Sequence, residues 1–148
     1  MTPSLPVRTV EVSTETKPFW DASAEGRLVL PRCVQCGATL WYPKGFCPLC
    51  ASSSIEWIAA SGRGTVYSFS VTRKGVGVWA EHSPYVIAYV ELDEGPRVLT
   101  NIVGCEVGDV RIGMTVEVVF DPTEAGPAVF RFRPIEGSHS FTSERSHP

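Results

Sequence analysis

At 148 residues, 43% hydrophobic and 20% charged, the chain has the size of one domain carrying a small appendage. Its apolar runs are only a few residues long, far short of the roughly 20 that a membrane-spanning helix needs, and its first residues lack the apolar stretch of a secretory signal, so the expected compartment is the cytoplasm. Residues 1–74 hold eight Lys/Arg against five Asp/Glu, and residues 75–148 hold five against eleven, which is not the basic footprint of a nucleic-acid binder.

Residues 1–16 are Pro/Thr-rich without periodicity and read as a flexible arm. A short helix is expected over residues 18–25, with Phe19, Trp20, Ala24 and Leu28 on one face and Gly26 placed to end it. Residues 27–31 then form a brief strand that leads into a cysteine-rich module punctuated by Gly37, Pro43, Gly45 and Pro48. The helix and this module make one unit, residues 17–62.

Past Ser61-Gly62-Arg63-Gly64 the pattern changes to strands. Residues 65–72 alternate Tyr67, Phe69 and Val71 with Val66, Ser68 and Ser70. Residues 85–92 are a more fully apolar strand, Asp93-Glu94-Gly95-Pro96 is a turn, and residues 97–103 return as a third strand. Residues 115–120 and 128–133 supply the fourth and fifth, with a helical turn expected within 106–112. Five short strands with a helical element between the third and fourth indicate an OB-fold barrel over residues 63–136; an SH3-like barrel is the alternative, and the helical insert favours OB. Residues 137–148, rich in Ser, His and Thr, read as a disordered tail. The fold class is mainly β: an N-terminal helix and the cysteine-rich module, then a five-stranded barrel.

Cys33-Val34-Gln35-Cys36 and Cys47-Pro48-Leu49-Cys50 are two C-x2-C knuckles ten residues apart. Each turn aims two sulfurs at one point, and four thiolates complete a tetrahedron with no open position, which suits one structural Zn2+. Iron also accepts four thiolates, and spacing does not separate the two metals. A closed coordination sphere has no place for a water to be activated. The centre is structural.

Catalytic equipment is sparse. His82 sits in a loop beside Glu81 and Ser83, and such a run of neighbours does not build a triad. Cys105 has no base near it in sequence. Asp93 and Glu94 occupy a turn, and no phosphate loop or dinucleotide fingerprint is present. Two features resemble binding surfaces instead. Val76, Val78 and Trp79 lie in a loop between glycines on the barrel rim, and Phe19 and Trp20 adjoin the metal module. Each set either packs against its own chain or anchors a partner.

Several runs match a known family. They are Phe19-Trp20-Asp21, Gly26-Arg27-Leu28-Val29-Leu30-Pro31-Arg32-Cys33 with Cys36-Gly37, Tyr42-Pro43-Lys44, Cys47-Pro48-Leu49-Cys50, Trp57, Ser61-Gly62-Arg63-Gly64-Thr65-Val66-Tyr67-Ser68, Pro84-Tyr85-Val86-Ile87-Ala88-Tyr89-Val90-Glu91-Leu92 and Ile112-Gly113-Met114. Together they cover about residues 17–136. The chain resembles the DUF35 proteins, which join a rubredoxin-like zinc ribbon to an OB-fold and are associated with acyl-CoA metabolism.

The resemblance implies a non-catalytic partner of thiolase-like enzymes, such as acetoacetyl-CoA thiolase with hydroxymethylglutaryl-CoA synthase, or the aldolases of steroid side-chain breakdown. It implies a hetero-oligomer, a hot-dog-fold hydratase as a further companion in some members, and an OB-fold that helps to hold acyl-CoA. Arg27, Arg32, Lys44, Arg63, Arg73 and Lys74 are the candidates to meet CoA phosphates, and Phe19, Trp20, Val76, Val78 and Trp79 the candidates for the partner interface. Two rival readings stand beside it: a single-stranded nucleic-acid-binding module, and a stand-alone acyl-CoA-binding protein.

Overall fold

The computed structural model describes residues 5–135, so the tail expected over 137–148 lies outside the described residues. The first element is helix α1, Lys17–Ala24. Proline in its first turn costs no hydrogen bond. Its far end closes on Gly26, at φ +76°, with the Gly26 amide donating to the Ser23 carbonyl at 3.0 Å and the Arg27 amide to the Ala22 carbonyl at 2.9 Å. This paired closure needs a left-handed residue, and glycine adopts that conformation without penalty.

The buried face of α1 is Phe19, Ala22 and Ser23. Ala24, expected on that face, is exposed, and Leu28 is buried from beyond the helix end, because the helix stops a turn too early to carry it. The segment before α1 lies against the barrel at Pro6, whose carbonyl accepts from Arg131 Nη2 at 2.8 Å. Thr16 is also buried and exchanges hydrogen bonds with Ser13.

Strand β1, Val29–Cys33, pairs antiparallel with β2, Ile55–Ala59, from Val29 opposite Ala59 to Cys33 opposite Ile55. The strand expected over 27–31 is therefore shifted by two residues and ends on the first cysteine. No strand was expected at β2, whose five residues are too short and too evenly half-buried to alternate clearly.

The remaining strands are β3 (Arg63–Thr72), β4 (Tyr85–Leu92), β5 (Arg97–Ile102), β6 (Thr115–Pro122) and β7 (Ala128–Pro134). They close into a barrel in the order β3-β4-β5-β7-β6, with β3 also paired to β6. Neighbours are antiparallel except β5 and β7, which meet in parallel at Ile102 and Phe132. This is the expected five-stranded OB-fold. A short 3-10 turn, Val107–Asp109, lies between β5 and β6, and Val110 behind it is buried at the barrel end.

One strand face differs from expectation. The β3–β4 register slips between Val66 and Ser68, a bulge that gives one strand an extra residue and reverses which side chains point inward. Val66 is buried and Tyr67 is 49% exposed, whereas Phe69 and Val71, beyond the bulge, pack on the core.

The barrel core includes Val66, Val86, Ala88, Val90, Val98, Val116 and Phe132, and it is continuous with Phe19, Leu28 and Leu30 from the N-terminal unit. Phe19 joins the units by edge-to-face contacts with Trp20, Trp41 and Phe130, at 4.9, 5.3 and 5.9 Å between ring centroids. Such pairs add about 0.5–1.5 kcal/mol each beyond area burial. The cysteine end has a separate cluster of only Cys33, Leu40 and Cys47, with Ala38 and Ile55 against it.

Candidate functional site

The two knuckles are built alike. The Cys33 amide donates to the Ala38 carbonyl at 2.9 Å and the Gly37 amide to the Cys33 carbonyl at 2.9 Å. In the second knuckle the Cys47 amide donates to the Ser52 carbonyl at 2.8 Å and the Ala51 amide to the Cys47 carbonyl at 2.8 Å. Gly37 and Ala51 occupy equivalent left-handed positions, φ +77° and +64°. For alanine that conformation costs roughly 1–2 kcal/mol.

This backbone brings the Sγ atoms of Cys33, Cys36, Cys47 and Cys50 within 4.8 Å of one another, with Cys33–Cys50 at 3.5 Å and Cys36–Cys47 at 3.6 Å. Four sulfurs about 2.3 Å from a central zinc have this spacing. Cys33 and Cys47 are buried, Cys36 and Cys50 exposed. The Cys36 amide, donating to Cys33 Sγ at 3.5 Å, draws that thiol down to about 6. The Ser52 amide acts on Cys50 in the same sense, but the Cys33 sulfur beside it and burial push Cys50 up to about 12. Sulfurs this close cannot all ionise without a cation between them. The donor set fits a divalent thiophilic metal.

The six basic candidates are not brought together. Arg27 is paired with Glu25 at 2.7 Å and Arg32 faces Glu56 at 3.9 Å. Arg63 and Arg73 lie at and just past opposite ends of the ten-residue β3, roughly 30 Å apart at 3.3 Å per residue. Lys44 is exposed within the cysteine module. Only Arg73 and Lys74, adjacent and exposed on one loop, are placed to share one phosphate.

The interface candidates also divide. Phe19 is 1% exposed at the centre of the aromatic cluster, so it is a packing residue and is unavailable to a partner. Trp20 packs half-buried on the same core. The rim loop contains a 3-10 helix, Gly77–His82; Val76, just before it, is 83% exposed and Val78, within it, 68%. Trp79 folds back onto Tyr85, with 4.8 Å between ring centroids.

His82 and Cys105 both line a cleft of about 550 Å³ with Leu5, Tyr85, Asp121 and Arg133. Burial pushes the Cys105 thiol up, with Asp109 and Glu106 adding to it, which is the wrong direction for a nucleophile. Sequence reasoning missed Arg131. Its guanidinium is buried and donates to Asn101 Oδ1, to Asp121 Oδ2 at 3.2 Å and to the Pro6 carbonyl. A charged residue in a strand reads as outward, and only partners distant in sequence make its burial possible.

Paired cysteine knuckles packed on a closed OB barrel define a zinc-ribbon and OB-fold protein. The chain belongs to the DUF35 family: family models described as the ChsH2 rubredoxin-like zinc ribbon domain and the ChsH2 C-terminal OB-fold domain match residues 20–56 and 57–121. A DUF35 domain-containing scaffold protein of Methanocaldococcus jannaschii is 38% identical over 116 residues, covering 74% of this chain and 82% of that one. The benzoylsuccinyl-CoA thiolase subunit BbsA of Thauera aromatica is 32% identical over 123 residues, covering 78% and 83%. Among solved structures, a chain of the Ltp2-ChsH2(DUF35) aldolase superposes with a TM-score of 0.76 at 32% identity, covering 85% of this chain and 98% of that chain.

Proposed function

We propose that this chain is a cytoplasmic accessory subunit. It binds a thiolase-fold enzyme, either a thiolase or a thiolase-like acyl-CoA aldolase, and helps to assemble or line that enzyme's acyl-CoA site. Cys33, Cys36, Cys47 and Cys50 hold one structural Zn2+, which supplies folding free energy to the knuckles and takes no part in a reaction. The observation that carries the reading is similarity over 78% of this chain to a thiolase subunit and, in fold, over 85% of it to a chain of an aldolase. The site agrees with it: the cysteine set is closed, the barrel-end cleft holds a thiol pushed toward its protonated form, and the chemistry is assigned to the partner's nucleophile.

Arg73 and Lys74 are the basic residues of this chain retained as contacts for a CoA phosphate, because they alone of the six candidates share a loop. Affinity purification of the tagged chain from its native host tests the proposal. A thiolase-fold protein should co-purify in fixed ratio, and acyl-CoA turnover should require both chains. Turnover by this chain alone at a rate matching the complex would overturn it.

A further inference from the structure

Strand β4 is apolar on both faces as far as Glu91. Val86, Ala88, Val90 and Leu92 point into the barrel and are buried, while Ile87 and Tyr89 point outward, 38% and 47% exposed. An antiparallel strand with one wetted face alternates apolar with polar residues, and an outward face that is apolar as well is suited to being covered.

The outer apolar surface runs across three strands. Tyr89 stands opposite Leu99 of β5, which is 55% exposed. Tyr67 projects from the β3 bulge beside them. A recess of about 320 Å³ opens on this face, walled by Trp79, Tyr85, Ile87 and Leu99. Val76 and Val78, on the loop that carries Trp79, extend the surface past the strand ends. With about 200 Å² for a large side chain, the exposed part is on the order of 500 Å². That is the upper range for the largest patch on a monomer and most of the roughly 800 Å² that one side of a stable interface buries.

Charge narrows the occupant. The cation amid the three strands, Arg97, is bonded to Glu91 at 2.9 Å and stacked 3.8 Å from the Tyr67 ring, while Arg73 and Lys74 lie beyond the strands, on the loop at the edge of the surface. Arg97 has no free charge to offer a phosphate, so neither a nucleic acid nor the diphosphate of CoA is matched by the strand surface around the recess. A neutral protein surface is, above all one with a projecting apolar side chain to fill the recess, as anchoring residues do at interfaces.

We infer that the outer face of β3, β4 and β5 is the seat of the thiolase-fold subunit, with an aliphatic or aromatic side chain of that subunit entering the recess between Trp79 and Leu99. The inference rests on the proposed function and names the face that serves it. The ribbon tips, where Val34 and Leu49 are also exposed, are the competing face.

The test uses the full chain and the thiolase-fold protein recovered with it. Binding is measured by sedimentation for wild type, Leu99→Asp, Tyr89→Asp and the ribbon control Leu49→Asp, with zinc content and near-UV circular dichroism confirming each fold. The two barrel variants should weaken Kd by about 100-fold or more and the control by less than about threefold, since a buried charge at an interface centre costs several kcal/mol. Should the Asp variants fail to fold, Leu99→Ala and Tyr89→Ala replace them, with about tenfold losses expected. Folded barrel variants that bind like wild type overturn the inference while leaving the partnership intact. A wild-type chain that binds no thiolase-fold protein defeats the proposed function, and the inference falls with it. An isolated wild-type dimer that Leu99→Asp splits assigns the face to a second copy, which also overturns it.

Discussion

Removing the metal from the four-cysteine centre should unfold residues 34–54 and leave the barrel standing. The partition follows from the two clusters. Between the end of β1 and the start of β2, buried apolar support comes from Leu40 beside the cysteines, from Pro43, and from Trp41, which is half-buried against Phe19 and Phe130. Burying a large apolar side chain contributes about 1.5–3 kcal/mol, against roughly 10–16 kcal/mol from zinc on four thiolates. The metal therefore outweighs the three side chains together. Leu28 and Leu30, by contrast, belong to the barrel core together with Phe19, so β1 remains anchored when the knuckles open. Hydrogen exchange read by mass spectrometry, with and without a chelator, is the assay. Amides of Gly37, Leu40, Cys47 and Ala51 should lose protection while those of β3 to β7 keep it, and Cys47→Ser should reproduce the pattern. Retained protection in metal-stripped protein, or simultaneous loss across the barrel, would refute the reasoning.

Ala51→Gly should raise stability by up to about 1 kcal/mol, because it relieves a left-handed alanine; a chemical denaturation midpoint at or below that of wild type would count against it. Phe19→Ala removes the side chain joining helix, ribbon and barrel and should cost about 3–5 kcal/mol in the same assay. Arg131→Met strands the Asp121 carboxylate and the Asn101 carbonyl, for a loss of about 3 kcal/mol, whereas the exposed Arg27→Met should change stability by less than about 0.5 kcal/mol. Zinc uptake at pH 7 should release protons, at least from Cys36 and Cys50, whose thiols are raised above the usual range. Affinity should accordingly fall with acidification, most steeply below about pH 6, where Cys33 is protonated as well; an indicator-dye titration reads both effects.

The features legible in the sequence were those set by local chemistry. Knuckle spacing located the cysteine centre, and strand periodicity with Gly/Pro turns located five barrel strands. What escaped depends on contacts between distant residues. The bulge at Tyr67 is a slip in the pairing of β3 with β4, and no pattern within residues 65–72 announces it. Strand β2 is defined by its partner more than by its own five residues. Phe19 carried an ambiguous signal, since an aromatic beside a small module suits either a core or an interface, and only Trp41 and Phe130 decide between them. The apolar character of residues 85–92 was visible, but which of them face the core and which face outward needed the closed barrel.

The bond between the Pro6 carbonyl and Arg131 spans 125 positions of sequence and ties the start of the described chain to β7, the last strand of the barrel. Segments held this close are suited to being joined: a linker from the end of β7 to Leu5, with new termini opened at Gly95, exposed in the turn between β4 and β5, should give a circularly permuted protein with the barrel and both knuckles unchanged.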